Sequence, residues 1–296
     1  MDVEEWFHNC WVPEYNAPSR AAGLPRELDW LLPRLAEELA RSSARATFFV
    51  LGELARECAP RLRELVAAGH EVACHGFHHQ RANEVAPREF LAQLRDARAL
   101  LADLTGVEVH GYRAPEWSLR EPSNPRLRLV AEAGFAYDSS LVRALGAGSP
   151  ENPVRPTRYR WSDGLELTEL PPLTWGGRLR LPASGWCGRL AAPRWILAAV
   201  RRALAEDGLP LLVVHPWELV DRPSPGMYTG LARLFHDAGR VGFGERFRTI
   251  LSGSTWKALA EVLSDNQLAL RRLAAGAGPA DTEISGLALA PSGAWR

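Results

Sequence analysis

Short β-rich apolar runs alternate along this chain with longer segments in which apolar residues recur every three or four positions, a pattern that predicts βα units and an α/β fold. Ala46 to Leu51 (ATFFVL) is one unbroken apolar run; Glu71 to His75 (EVACH) follows a Gly-His turn, and Val109 to Arg113 (VHGYR) follows Thr-Gly. Phe135 to Ser139 (FAYDS) and Leu211 to His215 (LLVVH) complete the main strand set, with Leu165 to Leu170 a weaker member. Between them, Glu53 to Ala68 places Leu54, Cys58, Leu62, Leu65 and Val66 near one helix face, and Gly69 is the stop. Phe90 to Leu104 repeats the pattern with Leu91, Leu94, Ala97, Leu101 and Leu104, after Pro87 and before Gly106. Gly146 to Pro182, rich in Gly, Pro and Arg, sustains no period and is expected to be a long excursion from the sheet or barrel. From about Arg272 onward the chain is small-residued and aperiodic, which predicts a disordered tail.

Composition narrows the class. The 296 residues are 46% hydrophobic and 24% charged, as in a folded globular protein of one large domain or two small ones. Lys+Arg (35) balance Asp+Glu (35), and Lys257 is the only lysine, so no broad cationic field exists to hold nucleic acid or anionic lipid. The first residues, MDVEEWF, lack the basic and apolar regions of a secretory signal, and no apolar run reaches the roughly 18 to 20 residues of a membrane helix, so the expected location is the cytoplasm. Cys10, Cys58, Cys74 and Cys187 form no CxxC pair and read as reduced, mostly buried small hydrophobes.

Polar residues end nearly every predicted strand, and in parallel α/β folds reactive groups gather at the carboxyl ends of strands. Asp2 and Glu4 open the chain, His75 ends EVACH, Arg113 and Glu116 end VHGYRAPE, Asp138 ends FAYD, and His215 ends LLVVH. In His75-Gly-Phe-His78-His79, a helical turn would put His75 and His79 on one side as two ligands of one metal, with His78 pointing elsewhere. On an extended strand Asp2 and Glu4 share a face that Glu5 opposes, suiting one carboxylate to metal ligation and the other to general-base work. Arg113 could brace such a base. Trp6, Trp117 and Trp217 each lie close to one of these groups, where flat indoles suit stacking on sugar rings; with Glu116, Trp117 and Trp217 are the candidate substrate contacts. Each signal alone has an everyday counterpart: a His-rich loop, a frayed acidic terminus, a structural ion pair, a hydrogen-bonded core histidine, ordinary core aromatics. Asp138-Ser-Ser could orient a neighbouring histidine or simply end a strand. Convergence of all of them on one rim favours a site.

In order, DVEEWF (2–7), ATFFVLG (46–52), GHEVACHGFHH (69–79), GYRAPEWS (111–118), GFAYDSS (134–140) and VVHPWEL (213–219) resemble the polysaccharide deacetylases, the NodB-homology group of carbohydrate esterase family 4. The form is that of bacterial exopolysaccharide loci associated with exosortase and PEP-CTERM proteins. The resemblance covers about residues 1–266, including a C-terminal extension over about 222–266, and leaves 267–296 as the tail. It implies a distorted (β/α) barrel with one divalent metal, usually zinc, that removes N-acetyl groups from amino-sugar residues of a glycan. Residue by residue, it makes Asp2 the general base, His75 and His79 the histidine ligands, and Glu4 the carboxylate ligand with Glu5 as the alternative. Arg113 becomes the brace of the base and His215 the general acid, while Asp138 lies near the aspartate that orients that histidine. Only Met1 precedes Asp2, so the first strand is expected to be nearly absent and the start truncated. Two rival readings stay open: an amide hydrolase acting on small ureides at the same metal site, and a metal-free sugar-binding protein.

Overall fold

Phe48, Phe49 and Val50 of the strand Thr47–Val50 are apolar without interruption because both faces of the strand are buried: Phe48 and Val50 join the large cluster under the helices, and Phe49 points into a second cluster with Ala73, Tyr137, Leu170, Leu211 and Val213. A computed structural model describes residues 1–8, 23–176, 180–206, 208–222, 228–264 and 282–283. In chain order its elements begin β1 (Asp2–Val3), α1 (Leu28–Arg41), β2 (Thr47–Val50), α2 (Gly52–Ala67), β3 (Glu71–Cys74) and α3 (Pro87–Thr105). Then come β4 (Gly111–Tyr112), α4 (Arg126–Glu132), β5 (Tyr137–Asp138), β6 (Thr157–Arg160), β7 (Glu166–Glu169), β8 (Thr174–Trp175) and β9 (Leu181–Pro182). The last are α5 (Gly185–Leu190), α6 (Pro193–Ala205), α7 (Gly230–Asp237), α8 (Phe243–Ser252) and β10 (Thr282–Glu283).

The main sheet runs β1-β2-β3-β4-β5-β7-β6-β10, parallel except for the antiparallel β6–β7 pair, and β8–β9 form a separate hairpin. The chain beyond β7 brings the sheet back on itself. Leu173 N–H donates to Leu211 O at 2.7 Å, and Asp2 N–H donates to Val214 O at 3.1 Å, so the extended segment 211–214 bridges β7's continuation to β1 and closes a distorted barrel. Trp117, just past β4, packs on the interior cluster at the carboxyl ends of the strands. At the amino ends Leu259 N–H donates to Thr47 Oγ1 at 2.8 Å and Ala260 N–H to Glu71 Oε2 at 2.9 Å, plugging the opposite mouth.

The expected strand at 211–215 makes only an isolated bridge, Pro172 to Leu211, because Pro171 and Pro172 opposite it lack the N–H groups a ladder needs and β1 on its other side is two residues long. Within the stretch 146–182, expected as an excursion, β7 forms inside the weaker strand expected over Leu165 to Leu170, and the unexpected β6 pairs with it in the main sheet, around an Asp163-Gly164 turn with Gly164 at φ +87°. Cys58, Cys74 and Cys187 are buried and free, while Cys10 lies outside the described residues. So does the expected tail over 267–296, except Thr282–Glu283, which pair with β6. No helix among the described residues is long and apolar enough to cross a membrane.

One glycine fixes how closely β4 and β5 approach. A Cβ on Gly111 would stand 2.0 Å from Tyr137 Cζ, and that buried ring is tethered by its hydroxyl, which donates to Glu71 Oε1 at 2.9 Å. Gly111→Ala is expected to destabilise the fold by about 2–3 kcal/mol through overpacking, read as a lowered urea midpoint; an unchanged midpoint would show that the Tyr137 ring is free to move.

Beneath the rim, Asp138 and Glu169 are register partners on β5 and β7, both buried, and Glu169 Oε2 meets no N–H or hydroxyl donor. Burial, then the neighbouring Asp138 carboxylate, pushes Glu169 well above the ordinary range, so the pair keeps one proton between its carboxyls. The unfolded chain releases that proton, so this contribution to stability is full in acid and declines as pH rises from the ordinary carboxylate range toward the raised value. Glu169→Gln supplies a permanent donor, and its unfolding free energy should gain on the wild type steadily between about pH 5 and about pH 8. Parallel profiles would contradict the shared proton.

Candidate active site

β1 delivers the first carboxylates. Asp2 is fixed on both sides, its N–H on Val214 O and Phe49 N–H on the preceding Met1 O. Beyond the strand, Glu4 and Glu5 turn to opposite sides. Glu5 Oε2 and Oε1 accept the N–H groups of Glu27 and Leu28 at 2.9 and 3.3 Å, capping the amino end of α1 from a distant part of the chain. Glu4 faces the histidines, and Glu5 faces the amino end of α1.

His75 ends β3, and the residues after it form an irregular bent loop rather than the expected helical turn, with Gly76 at φ +90°. The loop hangs on the amino end of α2: Gly52 and Glu53 donate N–H groups to Gly76 O and Phe77 O, each at 2.9 Å, and Glu53 Oε1 accepts His79 N–H at 3.3 Å. Gly52 is required for this approach, since a Cβ there would lie 2.9 Å from the Phe77 ring. The result still brings the imidazoles together, with ring centroids 5.7 Å apart. His78 points away and pairs with Glu53 Oε2 at 3.0 Å.

Glu4, His75 and His79 are buried and present ligand atoms within 4.8 Å of one another. Glu4 Oε2 lies 2.7 Å from His79 Nε2 and 3.8 Å from His75 Nε2, yet it makes no well-aligned hydrogen bond. His75 Nδ1 is 2.9 Å from Arg113 O, a partner that can only accept, so Nδ1 carries the proton and Nε2 keeps its lone pair for the cluster. Burial lowers the His75 pKa to about 4, so the ring is neutral near pH 7 as a ligand must be. Glu4 Oε1 accepts Trp217 Nε1–H at 3.2 Å. Two imidazoles and an ionised carboxylate with an orphaned oxygen are a donor set that fits a divalent metal such as zinc with an open coordination position.

Arg113 is fully buried beside this cluster. Its Nε donates to Ser139 O at 3.0 Å, Nη2 to Ser139 Oγ at 2.9 Å and Nη1 to Asp2 Oδ1, while Cζ stands 4.0 Å from the Phe49 ring centroid. Burial by itself would raise the Asp2 pKa, but Arg113 and then His75 outweigh it and hold the carboxyl well below its ordinary range. His215 completes the rim: its Nε2 is 3.9 Å from Asp2 Oδ2 and 3.7 Å from Glu4 Oε1. Burial opposes its charge, but Glu218, Glu4 and Asp2 lift its pKa to about 9, so the imidazole is protonated near pH 7.

Asp138 does not reach His215: its oxygens accept Ser140 Oγ–H at 2.6 Å and Ser140 N–H at 3.3 Å and face Glu169. The carboxylate beside His215 is Glu218, whose Oε2 lies 3.1 Å from Nδ1. Glu218 stands three residues after His215 in HPWE, and that spacing, which resembles a capping box, is the signal that could have singled it out. Glu116 is engaged by Arg81 Nη2 at 2.8 Å, in a backbone held at φ +52°. Trp117 is half-buried at the barrel mouth, whereas Trp6 and Trp217 are buried, and Trp217 stacks with His215 and with His236 at centroid separations of 5.4 and 4.4 Å. Trp217 therefore sits as a support beneath Glu4 and His215, with little indole face open for a sugar.

Residues 29–137 match the polysaccharide deacetylase family model. That segment holds His75, His79 and Arg113; Asp2, Glu4 and His215 lie outside it and join it only through the fold. The chain is similar to a peptidoglycan deacetylase of Helicobacter pylori, 33% identical over 111 residues that make up 38% of this chain and 37% of that protein. A chitooligosaccharide deacetylase of Sinorhizobium fredii is 34% identical over 107 residues, 35% of this chain and 47% of that one. The matched segment thus spans less than half the length of either relative. Among solved structures, an inferred polysaccharide deacetylase from Mycobacterium smegmatis superposes with a TM-score of 0.55 at 23% identity, covering 81% of this chain and 78% of that one. Puue allantoinase does so at 0.53 and 16%, covering 80% and 72%. At such identities these two likenesses concern the fold. Family match and relatives together make residues 29–137 similar to part of the polysaccharide deacetylases.

Proposed function

We propose that the chain is a metal-dependent N-deacetylase acting on amino-sugar residues of a polysaccharide or oligosaccharide, of the kind made in exopolysaccharide biosynthesis. The observation that carries the reading is the meeting of three buried ligand atoms, from Glu4, His75 and His79, with an Arg113-braced carboxylate on one side and a protonated imidazole on the other. Glu4, His75 and His79 would hold the metal, which when bound supplies Lewis acidity toward water and the acetyl carbonyl. Asp2 accepts a proton from the attacking water; Arg113 and Ser139 keep its carboxylate ionised and in one rotamer. His215 gives its proton to the amide nitrogen as the C–N bond breaks, leaving acetate and a free amine. Trp217 holds Glu4 in place through its indole N–H.

The reading is tested by acetate release from N-acetylglucosamine oligomers by the zinc-loaded protein, with allantoin and related ureides as the competing substrates. Glycan deacetylation is the expected result. Turnover of ureides alone would replace the glycan with a small amide, and glycan binding unaffected by a chelator, without turnover, would make the chain a binding protein.

A further inference from the structure

Three residues past His215, Glu218 is almost fully enclosed, and its two oxygens serve different neighbours. Oε1 accepts from Arg189 Nη1, and Oε2 accepts the His215 backbone N–H at 2.9 Å while standing 3.1 Å from the His215 ring Nδ1. Arg189, on the short helix α5, is 2% exposed and gives its other donors to the carboxyl end of α7: Nε to Ala238 O at 2.8 Å, and Nη2 to Phe235 O at 2.7 Å and His236 O at 3.0 Å. Those carbonyls are ones a helix end leaves without partners, so the guanidinium is anchored by groups that need it. Gly239 seals the arrangement, since a Cβ there would stand 2.9 Å from the Arg189 backbone.

Resting on the deacetylase reading, we infer that Arg189 and Glu218 are a positioning pair for His215, fixing its ring so that Nδ1 faces Glu218 and Nε2 faces the reaction centre. A salt bridge serving only to tie α5 to the turn after His215 would use one carboxylate oxygen; here the second is spent on His215. On this proposal Nδ1, 3.1 Å from the Glu218 carboxylate though not in an aligned hydrogen bond, keeps its proton, and Nε2 is the nitrogen whose proton leaves and returns. Neither residue lies within the segment 29–137 that carries the family match.

The test compares wild type, Glu218→Gln, Glu218→Asp and Arg189→Lys, each loaded with zinc, for kcat and KM on N-acetylglucosamine oligomers, for bound zinc, and for thermal midpoint. Glu218→Gln should keep zinc and KM within about 3-fold while kcat falls on the order of 10- to 100-fold, part of the 10²–10⁴ that a positioned general acid contributes. Glu218→Asp, which keeps the charge one methylene short, should recover part of that loss. Equal kcat in wild type and Glu218→Gln, or a loss that tracks zinc or midpoint alone, would overturn the proposal. Nitrogen-15 NMR of the histidines, recorded above pH 9 where the His215 ring has lost its second proton, reads the pair without turnover: the remaining proton should be fixed on Nδ1 in the wild type and exchange between the two nitrogens in Glu218→Gln. The same His215 spectrum in both proteins would also overturn it. A wild type with the expected spectrum and no acetate release would refute the deacetylase reading and leave the pair standing.

Discussion

Asp2→Asn is expected to lower kcat by about 10³-fold or more while the protein keeps its metal and its fold. Asparagine preserves the shape that fills the space against Arg113 and the backbone bond to Val214 O, but its amide cannot take a proton from water. Burial would favour a neutral group here, and Arg113, then His75, keep the native carboxyl ionised, so the variant should lose some stability because the buried guanidinium is left without its counter-charge, read as a lowered urea midpoint. Bound zinc, measured by elemental analysis, should match the wild type because Asp2 is outside the cluster of Glu4, His75 and His79. Retained turnover would remove Asp2 from the role of base.

The second large effect lies in the ligands. His79→Ala takes away the imidazole whose Nε2 is 2.7 Å from Glu4 Oε2, leaving one imidazole and a carboxylate. Zinc affinity should fall by at least about 100-fold, and acetate release should fall to background at stoichiometric zinc. His78→Ala is the matched control: the neighbouring ring faces Glu53 on the outer side of the loop, and its loss should leave zinc stoichiometry unchanged. Equal zinc loss in both variants would point to collapse of the loop, not removal of a ligand.

Much of this site is legible in the sequence because reactive residues sit where apolar runs end, and a buried strand advertises itself by continuous hydrophobicity. Thr47–Val50 and Glu71–Cys74 fall within the runs that predict them, and α2 and α3 follow their helical period to glycines 69 and 106. The His75 and His79 pair is legible as a spacing, but its geometry comes from Gly76 and from hydrogen bonds to α2, neither of which a periodic pattern encodes. β6 is hard to see, since Arg158 and Arg160 give it a polar character, whereas β7 falls within the weaker run Leu165 to Leu170 that predicts it, with the Asp163-Gly164 turn between them. Arg189 is not legible at all. Nothing in GWCGRL signals that its arginine is buried against a carboxylate 29 positions further on; that meeting is made by the packing of α5 against the end of α7. Asp138 shows the converse, a strand-end carboxylate whose partner is Glu169 on the adjacent strand and not the histidine on the rim.

On the proposed function, a metal held by Glu4, His75 and His79 drives removal of acetyl groups from an amino-sugar glycan. The most direct test is acetate release from N-acetylglucosamine oligomers by the protein as purified, after exhaustive chelation, and after zinc is restored in steps. Activity that vanishes on chelation and returns in proportion to zinc up to one equivalent is the predicted result. Activity that survives chelation, or a zinc-loaded protein that releases no acetate from these oligomers, would contradict it.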